Sequence, residues 1–353
     1  MLNKIPTTVI TGFLGAGKTT LIRHLLKNAG GRNIALIINE FGDLGVDGDI
    51  LKGCGDDFCK EEDILELSNG CICCTVADDF IPTMQNLLER ETKFDHIIIE
   101  TSGLALPQPL IRAFKWPEIQ TQVTVDGVIT VVDGKAVSEG RFAHSIDAVN
   151  QQRSSDEKLD HETPLSELFE DQMNCADMIV VNKSDLLTED QVDDLVIQLK
   201  GESRDGVQVL KSEMGVLPVD IVLGQKAIAE NDVDRRHELH HHHHDDHHDH
   251  DHHDHDHHHD DFESFVVSMQ EIKDITTFTQ KVIKVITEHD ILRLKGFVAV
   301  EGKPLRLTIQ AVGPRLDSYF DKAFNVHEER ETKIVVIGQK GMNQKRIIEK
   351  LME

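Results

Sequence analysis

The chain reads as short, wholly apolar runs separated by longer stretches with helical spacing. Thr7-Thr8-Val9-Ile10-Thr11 is the first such run. Behind it Leu21, Ile22, Leu25 and Leu26 recur at the spacing of one helix face. Ile34 to Asn39, His96 to Glu100, Val125 to Asp133 and Met178 to Asn182 are further apolar runs, and Val207 to Leu210 is a shorter one. Runs without polar alternation belong to strands buried on both faces. Strands that alternate with helices predict a parallel sheet with right-handed crossovers. Helices are predicted over Val76 to Arg90, within the polar segment 134–173, and from Thr188 to about Lys200, where Thr188-Glu189-Asp190 is an N-terminal signature. Glu40 to Asn69 is polar and Gly-rich with small apolar patches, so a long functional loop with a hairpin is predicted there.

The pattern changes after residue 230. Asn231 to Asp261 is almost wholly His and Asp and has nothing to bury. Beyond it, strands are predicted at Phe262 to Met269, Ile291 to Val300, Leu305 to Val312 and Lys333 to Ile337, with helices at Ile275 to Glu288 and Asn343 to Leu351. The division is therefore an α/β domain at 1–230, a low-complexity linker at 231–261, and a smaller α+β domain at 262–353. The fold class is α/β with a mostly parallel sheet, plus that C-terminal domain.

Charge and cysteine content narrow the function. The net charge is −26, and the chain stays strongly acidic without the eight Asp of the tract. Such a protein repels nucleic acid and attracts cations. No apolar run is long enough for a membrane span, and the N-terminus has no signal-peptide succession, so a cytoplasmic location is expected. Six cysteines in such a chain favour metal or redox chemistry over a disulfide framework.

Three motifs lie at predicted strand ends. Gly12-Phe-Leu-Gly15-Ala16-Gly17-Lys18-Thr19-Thr20 fits the phosphate loop Gly-x4-Gly-Lys-Thr between a strand and a helix. Its glycines let backbone N–H groups converge on phosphate, Lys18 suits the β and γ phosphates, and Thr19 suits Mg²⁺. A functionless Gly-rich turn is the competing reading, and the complete motif with both flanks argues against it, so the domain at 1–230 is read as a nucleotide-binding domain of the P-loop NTPase class. Asn182-Lys183-Ser184-Asp185 ends another strand. The Asp185 carboxylate can accept from the N1–H and 2-amino groups of guanine, a donor pair that adenine lacks. Asn182 would steady the base edge and the loop, and Lys183 would lie over the base. Glu100-Thr101-Ser102-Gly103 ends a third strand. Glu100 can reach the Mg²⁺ shell there, and the Gly103 N–H the γ phosphate, which makes this segment a nucleotide sensor. The bland reading is a carboxylate at a strand end.

Cys71, Cys73 and Cys74 crowd three thiols into four residues. A turn or helix start that converges them suits Zn²⁺ or Co²⁺. A redox pair of Cys71 with Cys74, or simply buried thiols, are the competing readings. Glu40 is a candidate fourth ligand, with Asp43 and Asp47 weaker candidates for Mg²⁺. Cys54 and Cys59 are either an auxiliary pair or bystanders, and Cys175 reads as a core thiol.

Taken in order, Gly12-Phe-Leu-Gly-Ala-Gly-Lys-Thr-Thr, Asn39-Glu-Phe-Gly, Cys71-Ile-Cys-Cys, Glu100-Thr-Ser-Gly-Leu-Ala and Asn182-Lys-Ser-Asp resemble the CobW-type metal-chaperone GTPases. These are relatives of the urease and hydrogenase nickel chaperones. The likeness extends to the C-terminal stretch Leu292-Arg-Leu-Lys-Gly296. It implies a GTP·Mg²⁺ site coupled to a metal site at Cys71, Cys73 and Cys74. The stretches Val46-Asp-Gly-Asp and Asn69-Gly-Cys-Ile-Cys-Cys-Thr-Val-Ala-Asp-Asp-Phe most resemble the subgroup linked to aerobic cobalamin biosynthesis. That likeness implies cobalt as cargo and a metal-acceptor protein as partner, the cobalt chelatase of that pathway being the candidate. A homodimer is also expected. Zinc is the alternative cargo, because thiolates bind Zn²⁺ more tightly than Co²⁺ on the usual order. A plain metal buffer without nucleotide coupling is the alternative of another class, and a P-loop kinase is disfavoured by Asn182-Lys-Ser-Asp.

The imidazoles of His240, His241, His242, His243, His244, His247, His248, His250, His252, His253, His255, His257, His258 and His259 are candidate accessory ligands in many registers. A solvated linker and an internal tag are the other readings, the latter at odds with the interleaved Asp. A reservoir of this kind binds metal weakly. Deleting 237–261 should therefore lower the metal stoichiometry of the purified protein, while GTP turnover and one tight site persist. Loss of the tight site in the same titration would refute the reservoir reading.

Overall fold

The computed structural model describes residues 4–39, 64–67, 80–91, 93–155, 164–233, 262–324 and 330–352. The chain divides into two compact units, Met1–His242 and His243–Glu353.

The first unit runs β1 (Ile5–Thr11), α1 (Lys18–Lys27), β2 (Ile34–Asn39), β3 (Ile64–Leu67), α2 (Ile81–Leu88), β4 (His96–Glu100), α3 (Pro107–Ala113), β5 (Val123–Asp133), α4 (Gly134–Ser138), α5 (Ile146–Ser155), α6 (Leu165–Cys175), β6 (Met178–Asn182), α7 (Glu189–Glu202), β7 (Gln208–Lys211) and α8 (Val219–Val222). The seven strands form one sheet in the order β3-β2-β4-β1-β5-β6-β7. All its pairings are parallel. The apolar runs end up where their composition demands: β4 and β6 are buried at every position. One core packs Phe80, Met84 and Phe114 on Val9, Ile37, Ile97 and Ile99. Another packs Phe13, Leu104 and Phe169 on Ile179 and Val181. Cys175 is fully buried, as its apolar setting predicts. The α7 start is a capping box, with Thr188 Oγ1 accepting from Gln191 N–H and Gln191 Oε1 accepting from Thr188 N–H.

Parallel register brings every strand's carboxyl end to one edge. Ile10 pairs with Glu100, Ile38 with Glu100, Asn39 with Leu67, and Asp133 with Asn182. The expected loop over Glu40 to Asn69 is corrected in part. Ile64–Leu67 is an edge strand, three places from the central β1 and parallel to β2, so no hairpin joins these two. Four residues with a charge among them carry too little periodicity to be read as a strand; the exposed edge of β2 supplies the missing partner. The helix expected from Val76 is described from Ile81, with Pro82 in its first turn. Among its described residues, the polar segment 134–173 holds α4, α5 and most of α6.

At the opposite end of the sheet, Asp126 accepts the backbone N–H groups of Gly224, Gln225 and Lys226 at 2.6, 2.8 and 2.9 Å. Glu230 accepts from Thr124 Oγ1 and Val125 N–H. These carboxylates strap the chain after α8 across β5. Val233 is fully buried in the core, so packed structure includes the first three residues of the segment read as low-complexity from Asn231.

The second unit is β8 (Phe262–Met269), α9 (Ile275–Glu288), β9 (Arg293–Val298), β10 (Leu305–Val312), β11 (Arg315–Ala323), β12 (Thr332–Gln339) and α10 (Gln344–Met352). Its sheet is antiparallel in the order β11-β10-β9-β12-β8. Phe278, Val282 and Ile286 of α9 and Ile347 and Leu351 of α10 cover one sheet face. Val266, Phe297 and Tyr319 are exposed, so the alternation is that of a sheet covered on one side. Gly296 is required by close approach: a Cβ there would lie 2.1 Å from the Lys333 carbonyl oxygen. The sequence reading missed β11, whose residues are almost all exposed and give no apolar signal.

His96 opens β4 and is buried, with Nε2 2.8 Å from Thr8 Oγ1. Burial pulls its pKa below the ordinary value of 6.5; Asp126 opposes the shift and Arg32 adds to it. A neutral folded imidazole stabilises fully above pH 6.5, and that contribution is lost as pH falls toward the depressed folded value. Thermal unfolding should therefore show His96→Gln losing less stability than the parent between pH 7 and pH 5.5. Parallel pH profiles would disprove the assignment.

Candidate functional site

The loop after β1 is shaped by glycine. Gly12, Gly15 and Gly17 have φ of +133°, +78° and +103°, values that side chains rarely adopt. Space is equally exacting: a Cβ on Gly12 would lie 2.1 Å from the Val131 carbonyl oxygen, and one on Gly17 2.1 Å from Asn182 Nδ2. Gly17 precedes α1 and provides no side-chain cap, so the first-turn N–H groups of the helix meet no capping oxygen from that residue. Such a terminus is suited to phosphate. Lys18 is buried, and its Nζ donates to the Gly12 carbonyl at 2.8 Å and to that of Phe13 at 3.4 Å. The ammonium is thus held over its own loop. Ala16 is buried at the loop's inner wall, and Thr20 is exposed on the first turn of α1.

Thr19 Oγ1 donates to Glu100 Oε1 at 3.1 Å, across the pairing of β1 with β4. A hydroxyl beside a carboxylate is a hard oxygen donor set of the kind Mg²⁺ takes. Gly103 sits against the phosphate loop, where a Cβ would approach Leu14 N to 2.7 Å. Thr101 N–H donates to the Ile10 carbonyl and Thr101 Oγ1 to Thr11 Oγ1, both at 3.0 Å.

Asn182 joins two loops. Its Nδ2 donates to the Ala16 carbonyl at 2.9 Å, and its Oδ1 accepts the Gly215 N–H at 3.0 Å. Lys183 has a left-handed backbone, φ 60°, and its Nζ donates to Asp133 Oδ2 at 2.6 Å. Asp133 also caps α4 by accepting Ala136 N–H. The Lys183 head is therefore anchored at the end of β5, which fixes the course of its alkyl stem. Asp185 is exposed on the short 3-10 turn Ser184–Leu186.

The loop after β7 also belongs to this site, although the sequence reading passed over it. The Ser212 carbonyl accepts from Ser184 N–H at 3.2 Å and from Ser184 Oγ at 3.0 Å. Gly215, φ +69°, lies against the start of α1, where a Cβ would be 2.7 Å from Leu21 N. The signal available for it is Ser212-Glu-Met-Gly215 just past a strand's carboxyl end, a segment the strand read over Val207 to Leu210 stops short of. Asp133 was likewise read simply as the end of a strand.

Glu40, Asp43, Asp47, Cys54, Cys59, Cys71, Cys73 and Cys74 lie outside the described residues, as do the candidate histidines 240–259. Among the described residues no group of three or more His, Cys, Asp or Glu is placed to hold a metal ion. The described flanks are informative nonetheless. β3 ends at Leu67, opposite the end of β2, and α2 begins at Ile81. The thiol motif therefore lies between an edge strand that ends on the nucleotide side and the next helix. No helix among the described residues is long and apolar enough to cross a membrane.

Residues 6–211 match the family model described as "CobW/HypB/UreG, nucleotide-binding domain". Residues 262–353 match "Cobalamin synthesis protein cobW C-terminal domain". The chain belongs to this family of P-loop GTPases. It is 54% identical over 341 residues to a Sinorhizobium protein named "Zinc chaperone CobW", covering 97% of this chain and 94% of that one. A Pseudomonas aeruginosa protein of the same name is 48% identical over 342 residues, covering 96% and 88%. "Zinc chaperone YjiA" of Escherichia coli is 28% identical over 345 residues, covering 95% and 94%. The family membership agrees with the resemblance read from the motifs, and the two-domain fold agrees with the predicted class.

Because Asn182 bonds both the phosphate loop and the β7 loop, it shapes the site for any nucleotide, whatever its phosphate number. Asn182→Ala removes both bonds and leaves a buried carbonyl and N–H without partners, a loss of about 2–4 kcal/mol. Calorimetric titration should show GTP and GDP affinities falling together, by more than roughly tenfold. An unchanged affinity for both would show that the bridge is dispensable.

Proposed function

We propose that the protein is a GTP-driven metallochaperone that carries a divalent transition metal on Cys71, Cys73 and Cys74, with Glu40 as a further ligand, and yields it to an acceptor protein after hydrolysis. The observation that carries the reading is the shared sheet edge. Strands β2, β3 and β4 end within one residue of each other along the register: Asn39 pairs with Leu67, and Ile38 with Glu100. The segments that continue from them hold Glu40, the thiols and the γ-phosphate sensor, in that order. A change at one segment is thereby transmitted to its neighbours by the strands that anchor them.

In the nucleotide site, Lys18 would leave its own loop carbonyls for the β and γ phosphates. Thr19 and Glu100 would hold Mg²⁺, which supplies positive charge for the oxygens between the phosphates. The Gly103 N–H would meet the γ phosphate. Asp185 would read guanine, and the stem of Lys183 would cover the base while Asp133 holds its head. Loss of the γ phosphate would free the sensor segment and loosen the metal ligands.

Cobalt and zinc are the two candidate cargoes, and they stand level. Cobalt is supported by the cobalamin-synthesis description of the family model that matches the C-terminal domain and by the motif likeness. Zinc is supported by the general order of divalent affinities, on which thiolate sites bind Zn²⁺ above Co²⁺, and by the Sinorhizobium, Pseudomonas and Escherichia relatives, which are named zinc chaperones. His/Asp clusters in 231–261 would raise the local metal concentration for either ion.

Binding linkage gives the test. If GTP tightens metal binding, metal must tighten GTP binding by the same factor. Competitive titration of the full chain with Zn²⁺ and Co²⁺, with a non-hydrolysable GTP analogue or with GDP, should show at least roughly tenfold tighter metal in the GTP-like form. Equal affinities in the two forms would reduce the protein to a metal buffer, and tighter Co²⁺ than Zn²⁺ in the GTP-like form would establish the cobalt reading.

A further inference from the structure

Gln172 lies on α6, outside every recognised motif, and is fully buried. Its side-chain amide reaches out of the helix to the sensor segment that follows β4. Nε2 donates to the Gly103 carbonyl and to the Ala105 carbonyl, each at 3.1 Å. The two bonds straddle Leu104, which is itself buried against Phe13 of the phosphate loop and against Phe169 and Met173 of α6. The ring centroids of Phe13 and Phe169 are 6.0 Å apart. One helix thus holds the sensor segment by hydrogen bonds and by packing at consecutive residues.

The mounting of Gln172 is rigid. Its backbone carbonyl accepts from Thr130 Oγ1 of β5 at 2.9 Å. Beyond Cys175 the chain enters β6 directly, with Asp177 accepting Val128 N–H at 3.0 Å. β6 then ends at Asn182, the residue that bridges the phosphate loop and the β7 loop. The upstream end of the sensor is fixed from the other side, where Thr101 donates to Ile10 and Thr11 of β1. Between these anchors lie Ser102 and Gly103, with Gly103 against Leu14 of the phosphate loop. Any movement of Gly103 toward or away from a γ phosphate must bend or exchange the Gln172 bonds. Gln172 Oε1 is buried and accepts no hydrogen bond from the described residues. Such an acceptor costs free energy until a donor reaches it, and a shifted N–H of the same segment would satisfy it.

We propose that Gln172 is a positioning residue for the γ-phosphate sensor: its forked amide latches Gly103 and Ala105 and thereby sets how well the protein distinguishes GTP from GDP. The inference rests on the GTPase reading above and names a residue through which the nucleotide state is registered. A latch that pre-organises the loop lowers the ordering cost of γ-phosphate contact. Removing it should weaken the GTP-like state selectively, because GDP makes no contact with the sensor.

The test compares full-length wild type with Gln172→Met, which keeps the chain length and removes both donors. Affinities for GDP and for a non-hydrolysable GTP analogue are measured by titration, with thermal unfolding alongside. Gln172→Met should weaken the GTP analogue roughly tenfold relative to GDP and slow single-turnover GTP hydrolysis. An equal loss for both nucleotides, accompanied by a lower unfolding temperature, would mean that Gln172 is merely structural and would overturn the proposal. Should Gln172→Met fail to fold, Gln172→Asn retains an amide one methylene shorter, and a shift of the same ratio in the same direction is expected; an unchanged ratio overturns the latch. A wild type that binds no GTP would instead sink the functional reading beneath it.

Discussion

A parallel sheet buried on both faces must hydrogen-bond strand to strand in one direction, so all its loops of consequence leave from a single edge. In this protein that constraint organises everything else. The order β3-β2-β4-β1-β5-β6-β7 puts β1 at the centre. The phosphate loop therefore stands between the sensor that follows β4 and the Asp133 and Asn182 ends of β5 and β6. None of these residues is near another in sequence. Their meeting is a consequence of apolar strands seeking burial and of right-handed crossovers that return each strand in the same sense.

Around that edge the protein economises on polar side chains. Asn182 satisfies one carbonyl and one N–H from two loops; Gln172 satisfies two carbonyls of a third. Each is buried and replaces what would otherwise be an unpaired backbone group. Each also makes the position of one loop depend on another. Glycine supplies the complementary condition. Gly17 leaves room for the Asn182 amide and Gly103 for the Leu14 backbone, so the loops approach more closely than any side chain would permit.

The two domains illustrate different relations between sequence and legibility. Buried strands such as β4 and β6 announce themselves by continuous apolar composition. β3 and β11 do not: one is four residues long with a charge inside it, and the other is a polar edge strand. Both owe their strand state to a neighbour's unpaired edge, which is a tertiary property. Gln172, Ser212 and Asp133 were missed for a related reason. Gln172 reaches across the fold to backbone carbonyls, Ser212 offers its own carbonyl to Ser184, and Asp133 holds the Lys183 ammonium; none of these partners is set by local sequence.

Local chemistry was determined by the sequence alone. The spacing of glycines, Lys18 and Thr19, the run Asn182 to Asp185, and the crowding of Cys71, Cys73 and Cys74 are patterns of consecutive residues, so the ligand types proposed for them rest on short-range stereochemistry that the sequence displays directly. The tertiary structure decided which motifs adjoin and what holds them. The pairing of Thr19 with Glu100, the bridge from Ala16 through Asn182 to Gly215, and the fork of Gln172 on Gly103 and Ala105 join residues far apart in the chain. Such contacts depend on register and strand order, which arise when the whole sheet is buried at once and have no local signature.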